Sequence, residues 1–201
     1  MPSDTLDPSS TALVLVDFFN GLLGIDMHPY TGEQILDNGV QLAEAFRARD
    51  ALTVLTVGAM NPPPSAAYSA APPAPVFERD MSPLAGVAKV PDWRSFPEAL
   101  GPKPGDYVMT KFSWSAFHGT DLDFQLRRRG VNTIVLGGIA TNFGAEGTGR
   151  DARALGYSVI FVEDAMRAIT DEEHQHSVRY TLPMIGRVRS AKEVLDAWGS
   201  A

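Results

Sequence analysis

The chain has 201 residues, 44% of them hydrophobic and 20% charged, which suits one domain with a sizeable core. It contains no cysteine, which excludes disulfides, thiolate metal sites and a thiol nucleophile. The formal charge is −7 and the cations are scattered, with only Arg127, Arg128 and Arg129 adjacent, so the sequence carries no nucleic-acid footprint.

The opening MPSDTLDPSS lacks the charged and apolar regions of a secretory signal. No apolar run nears the roughly 20 residues that span a bilayer. A cytoplasmic protein with no membrane partner is therefore expected. In chain order, short β-branched runs predict strands at Thr11–Asp17, Leu52–Val57, Tyr107–Lys111, Thr133–Gly137, Ser158–Val162 and, more weakly, Gly186–Arg189. They hardly alternate, as strands covered on both faces do not. Helices are predicted between them. Gly32–Arg49 carries an apolar stripe through Ile35, Leu36, Val40, Leu42, Ala43 and Phe46. Thr120–Arg129 opens on a capping threonine and acids and closes on arginines before Gly130. Asn142–Leu155, Asp171–Leu182 and Ala191–Trp198 complete the set. This alternation implies a doubly wound, mostly parallel six-stranded α/β sheet with helices on both faces, a Rossmann-like three-layer domain spanning residues 1–201. The proline-rich stretch at about 61–93 is too long for a simple connection and reads as a lid or an interface arm.

In such sheets ligands sit beyond the carboxyl ends of the strands. Asp17, Lys111 and the pair Thr141-Asn142 all follow strands and should share that rim. Asp17 and Lys111 support two readings: an acid/base pair, with burial raising the carboxyl and the amine lowering it, or a loop cap and a solvated strand end. From Gly137 to Ala152 a strand turns sharply into a helix whose first amides face the rim, a site for negative charge. Gly144, Gly147 and Gly149 in its first turns fit either close approach of a ligand or tight packing on the sheet. No G-x-G-x-x-G follows the first strand, so a dinucleotide is not expected, and no G-x-S-x-G surrounds Ser113 or Ser115. Asp26-Met27-His28 looks like a metal pair but has no further ligand nearby in sequence, so a surface loop is the better reading and no metal is expected. His174 and His176 suit packing or capping. Phe18, Phe19, Phe112 and Trp114 flank Asp17 and Lys111 and could wall a pocket or fill the core, and His118 follows close behind Lys111.

The segments ALVLVDFFNGLL, KFSWSAFHGTDLDFQLRRRGV, GIATNFGAEGTGRDARALGYSVIFVEDA and the tail H-x-x-S-V…RVRSAKEVL together resemble the isochorismatase-like (cysteine hydrolase) superfamily, from about Thr11 to Trp198. The resemblance implies Asp17 as acid/base carboxylate, Lys111 as its cationic partner, and a cis peptide at Ile139-Ala140. It also places Gly144 at the superfamily's cysteine position, which removes thioester chemistry. Thr141-Asn142 stand where true isochorismatases carry Ala-His, and Phe19 where the D-x-Q motif has glutamine. The chain looks most like a cysteine-less bacterial branch reading G-I-x-T-N-x-G-x-E-S-T-A, with Gly147 and Gly149 in place of its Ser and Ala. The implied function is hydrolysis of a small molecule, a vinyl ether or related small acid, without a covalent intermediate or cofactor. Asp17 and Lys111 would act at Gly144's position, with Ile139, Ala140, Thr141, Asn142, Phe19, Phe112, Trp114 and His118 around the substrate. The alternative is a degenerate, ligand-binding protein on the same fold. A homodimer or homotetramer is implied in either case.

Overall fold

Side chains alternate between the two faces along each central strand, and that decides which helices they meet. In β1 (Thr11–Val16) every residue is buried. Leu13 and Leu15 join one apolar cluster, whereas Ala12, Val14 and Val16 join another on the opposite face. A strand buried on both faces gains nothing from polar alternation, which explains its continuous apolar run. The computed structural model describes residues 5–58 and 78–198.

The sheet adds β2 (Leu52–Gly58), β3 (Tyr107–Lys111), β4 (Thr133–Ile139), β5 (Ser158–Arg167) and β6 (Arg187–Arg189). All neighbours are parallel, in the order β3-β2-β1-β4-β5-β6. After β1 the chain winds outward through β2 and β3, and after β4 it winds the other way, so the crevice between β1 and β4 is the topological switch point.

The helices are α1 (Asn20–Leu23), α2 (Gly32–Arg47), α3 (Leu122–Arg127), α4 (Glu146–Ala154), α5 (Asp171–His176), α6 (Leu182–Ile185) and α7 (Ala191–Asp196). The first cluster takes Ile35, Leu42, Ala43 and Phe46 of α2 together with Val194 of α7. The second takes Leu122 and Leu126 of α3, Ala152 of α4 and Leu182 of α6. α2 starts at a reciprocal cap, Thr31 accepting from the Gln34 amide at 3.1 Å and the Gln34 side chain accepting from the Thr31 amide at 2.8 Å.

Several boundaries differ from the sequence expectation. β5 continues five residues beyond Val162, past a register shift opposite Leu136–Gly138, because Ala165, Met166 and Arg167 turn back into the core. Its polar Glu163-Asp164 reads like a strand end in sequence. α3 begins at Leu122, two residues after the expected Thr120. Thr120 Oγ1 donates to the Ala116 carbonyl at 2.6 Å and accepts from the Leu122 amide at 3.3 Å. At the other end Gly130 takes φ +74 and Val131 donates to the Leu126 carbonyl, the closure that a left-handed residue permits. The expected helix at Asn142–Leu155 opens as a wide turn, Thr141–Ala145, before α4. The helix expected at Asp171–Leu182 passes through another wide turn, Ser177–Thr181, between α5 and α6. α1 and a 3₁₀ segment at Ser82–Lys89 had no signal in the apolar pattern. The proline-rich stretch lies outside the described residues through 77; the rest, from Glu78 to Trp93, contains the 3₁₀ segment.

The glycines of the fourth crossover serve different ends. A Cβ on Gly149 would lie 2.3 Å from the Cζ of the buried Phe161 ring, so tight packing on the sheet requires the glycine there. At Gly147 the nearest atoms would be 3.7 Å away, ordinary contact. Gly149→Ala should therefore lower stability by about 1–3 kcal/mol through overpacking. Gly147→Ala should raise it by roughly 0.5–1 kcal/mol through helix propensity. Urea titration of the two variants checks the opposite signs.

Candidate functional site

Position, not sequence proximity, brings the polar groups together. Asp17 directly follows β1, Lys111 ends β3, and β2 runs between them. Gly58, paired with Lys111 in the register, is what lets the two side chains meet across that strand. A Cβ on Gly58 would sit 3.3 Å from both Asp17 carboxylate oxygens. Lys111 Nζ lies 2.7 Å from Asp17 Oδ2 and donates to the Ser113 carbonyl at 3.0 Å. Thr56 Oγ1 donates to Asp17 Oδ1 at 3.2 Å. Asp17 is 6% exposed and Lys111 3%, so water screens neither. Burial pushes the Asp17 carboxyl above its ordinary range even though Lys111, Thr56 and the Gly58 amide pull it down. Asp17 also holds φ +61, a left-handed conformation uncommon outside glycine, asparagine and aspartate.

Above this pair lies a cavity of about 820 Å³, reached by Asp17, Lys111, Gly58, Ile139, Ala140 and Gly144 from the strand ends. Its sides are mainly apolar. Phe19 meets Trp93 edge-on at 6.1 Å, and Trp114 meets Phe143 at 4.9 Å. Met81, Leu84 and Val87, in and beside the 3₁₀ segment, contribute from above.

The Ile139-Ala140 peptide is cis, and the chain turns there into Thr141–Ala145. Phe143 and Ala145 donate back to the Ala140 carbonyl at 3.1 and 3.2 Å. Gly144 faces the cavity, yet a Cβ there would stand 2.8 Å from the Ile139 carbonyl oxygen and 3.1 Å from Val16 Cγ1. A cysteine at 144 would thus require the turn to move.

Other expected site residues sit elsewhere. Phe112 is 53% exposed and His118 is exposed; neither lines the cavity, because the loop after β3 turns both outward while Trp114 turns in. Thr141 and Asn142 do not line it either. Thr141 is fully buried and its hydroxyl bonds His174 Nδ1 at 2.8 Å, and Asn142 Nδ2 donates to Glu173 at 3.1 Å. Phe18 is core, its ring against Gly39. Asp26 and His28 are exposed on either side of the buried, cavity-lining Met27, and no group of three or more metal-capable side chains exists among the described residues.

Sequence reasoning missed Gly58 and Thr56, whose only signal was a strand ending in glycine beside the predicted rim. It also missed Arg167, which is 1% exposed. The guanidinium donates to the carbonyls of Leu22, of Leu23 at 2.9 Å and of Ile25 at 3.3 Å, closing the end of α1. Burial pushes it down to about 10, with Asp26 opposing. Because Arg167 pairs with Ile139 in the sheet, it ties the loop that supplies Phe19, Leu22 and Met27 to the strand that supplies the turn.

A doubly wound parallel sheet with a buried acid–amine pair at its switch point, beneath an apolar cavity, is an α/β arrangement of the kind that can hold a ligand at its strand ends. The sequence pattern of the Isochorismatase domain matches residues 11–193, and the chain belongs to that family of hydrolases. It is 39% identical over 192 residues to the isochorismatase family protein YwoC of Bacillus subtilis, covering 95% of each chain. It is 39% identical over 193 residues to YecD of Escherichia coli O157:H7, covering 96% of this chain and 98% of that one. An isochorismatase family protein from Burkholderia thailandensis superposes with a TM-score of 0.81 at 36% identity, covering 98% of each chain. Among the described residues no helix is long and apolar enough to cross a membrane.

Proposed function

We propose that the protein hydrolyses a small enol ether or related small acid without a covalent intermediate, Asp17 serving as general acid. The observation that carries this reading is a buried carboxyl, raised by desolvation, that faces the cavity in a chain with no cysteine. A raised carboxyl holds a proton at higher pH than an ordinary one, as a general acid must. Asp17 delivers that proton to the terminal carbon of the enol ether double bond. Water adds to the oxocarbenium carbon, and the hemiketal parts into an alcohol and a ketone. The proton that the adding water sheds returns to the carboxylate, which Lys111 orients from 2.7 Å.

The cavity's cations support a carboxylate on the substrate. Lys111 is paired with Asp17 and Arg79 with Glu173. Arg94, stacked 4.4 Å above the Trp93 ring, is the lining cation with no carboxylate in ion-pair range among the described residues; Glu78 shares the same mouth. Incubation with isochorismate, simpler enol ethers and small amides, followed by product analysis, tests the reading. Release of the ketone from an enol ether is the expected result, and hydrolysis of amides alone would overturn it. On the active compound Arg94→Met should raise KM about tenfold with kcat nearly unchanged, the pattern of lost uniform binding.

Catalytically silent ligand binding is the second reading, favoured by Phe19 as an apolar wall where a polar side chain would serve chemistry. It predicts a ligand that raises Tm and is recovered unchanged. Assembly as a homodimer or homotetramer belongs to either reading. The outward Tyr180 and Met184, 66% and 84% exposed, support it, and light scattering tests it.

A further inference from the structure

Thr141, Asn142 and Glu146, in and beside the cavity turn, each find a partner in one short stretch of chain. The Thr141 hydroxyl meets His174 Nδ1 at 2.8 Å, Asn142 Nδ2 donates to Glu173 Oε1 at 3.1 Å, and Ser177 Oγ donates to Glu146 Oε2 at 2.8 Å. Thr141 and His174 are fully buried and Ser177 is 1% exposed. We infer that Glu173, His174 and Ser177 act as positioning residues, a clamp that fixes the turn whose Phe143 and Gly144 line the cavity. The inference rests on the proposed role of that cavity and adds the residues that hold its turn.

The chemistry of His174 supports a directed bond. Its Nε2 is buried with no hydrogen-bond partner among the described residues, and the nearest acid, Glu163 Oε2, lies 3.9 Å away. A carboxylate at that distance favours the tautomer with hydrogen on Nε2, which leaves Nδ1 as acceptor for the Thr141 hydroxyl. Tyr30 fixes the ring from the side, edge-on at 5.8 Å, and donates to Glu163 Oε1 at 3.2 Å. Glu173 has further duties. It caps α5 by accepting from the Thr170 amide at 3.1 Å, and it pairs with Arg79 of the cavity mouth. One carboxylate therefore joins the cap, the turn and the mouth. Any displacement of α5 pulls on the same turn that lines the cavity.

Amide hydrogen exchange read by NMR on the free protein tests the clamp without turnover. In Thr141→Val, which keeps the side chain's shape, the amides of Asn142, Phe143 and Gly144 should exchange about tenfold faster while that of Leu136 in β4 is unchanged. Thr141→Ser should restore the slow exchange. His174→Leu combined with Thr141→Val should be no faster than either alone, because both remove one bond. Asn142→Ala provides an independent arm through Glu173, with the same local acceleration expected. Unchanged exchange at 142–144, acceleration spread equally over the sheet, or failure of serine to rescue would each overturn the clamp. Since these rates do not depend on Asp17, a silent Asp17→Asn experiment would strike the proposed chemistry and leave the clamp standing.

Discussion

Replacing Asp17 by asparagine should reduce turnover of an enol ether substrate by about 10²–10⁴-fold, the span typical of losing a positioned acid. The fold should survive. Asparagine has nearly the same shape and tolerates the left-handed conformation that Asp17 holds at φ +61; its one amide oxygen can still accept from Lys111, with the NH2 turned to the Thr56 hydroxyl, which can accept. Circular dichroism would confirm the fold, and full activity in a folded variant would refute the acid role. Stability carries a second signature. Because the folded-state pKa of Asp17 is raised, its contribution is fully present below the ordinary carboxylate range, near about 4, and is lost as pH rises through the raised value. Wild type should therefore lose Tm over that window relative to Asp17→Asn, and kcat should fall over the same window as the acid gives up its proton.

How much of this was legible follows from the kind of signal each residue gives. Strands buried on both faces announce themselves as apolar runs, which made β1, β2, β4 and the start of β5 readable; the part-exposed edge strands β3 and β6 gave only short β-branched runs, β6 the weaker. Asp17 and Lys111 were readable as polar residues ending such runs. The direction of a side chain on a loop was not. Phe112 and Trp114 are two residues apart and both aromatic, yet only Trp114 reaches the cavity. Thr141 and Asn142 look like ligand-facing groups because they follow a strand, but their partners in α5 lie some thirty residues away along the chain. Gly58 shows the remaining limit: its importance is that two other strands reach across it, a fact of strand order that no local pattern encodes. Arg167 similarly reads as a strand's polar end until the carbonyls of α1 are placed around it.

The acid–amine pair makes the sharpest energetic prediction, because removing one partner differs from removing both. Lys111→Met takes away the only cation in contact with Asp17 among the described residues. Breaking a buried ion pair in this way costs roughly 3–5 kcal/mol when the orphaned group must stay charged. Asp17 has an escape, since its carboxyl can take up a proton, and burial already pushes it in that direction. The cost of Lys111→Met should accordingly be small at acid pH and grow toward that range as pH rises. Asp17→Asn/Lys111→Met leaves no buried charge at the site and should regain most of the loss at high pH, although its polar amide still needs Thr56 and the Gly58 amide. Urea titrations of wild type, both single variants and the double variant at two pH values measure the coupling directly. A pH-independent cost would mean that Asp17 stays ionised when unpaired, and a carboxyl that cannot hold its proton there could not deliver one to a substrate. A rising cost would instead place the acid limb of Lys111→Met at higher pH than in wild type, so that the variant, though less stable, keeps its proton donor over a wider range.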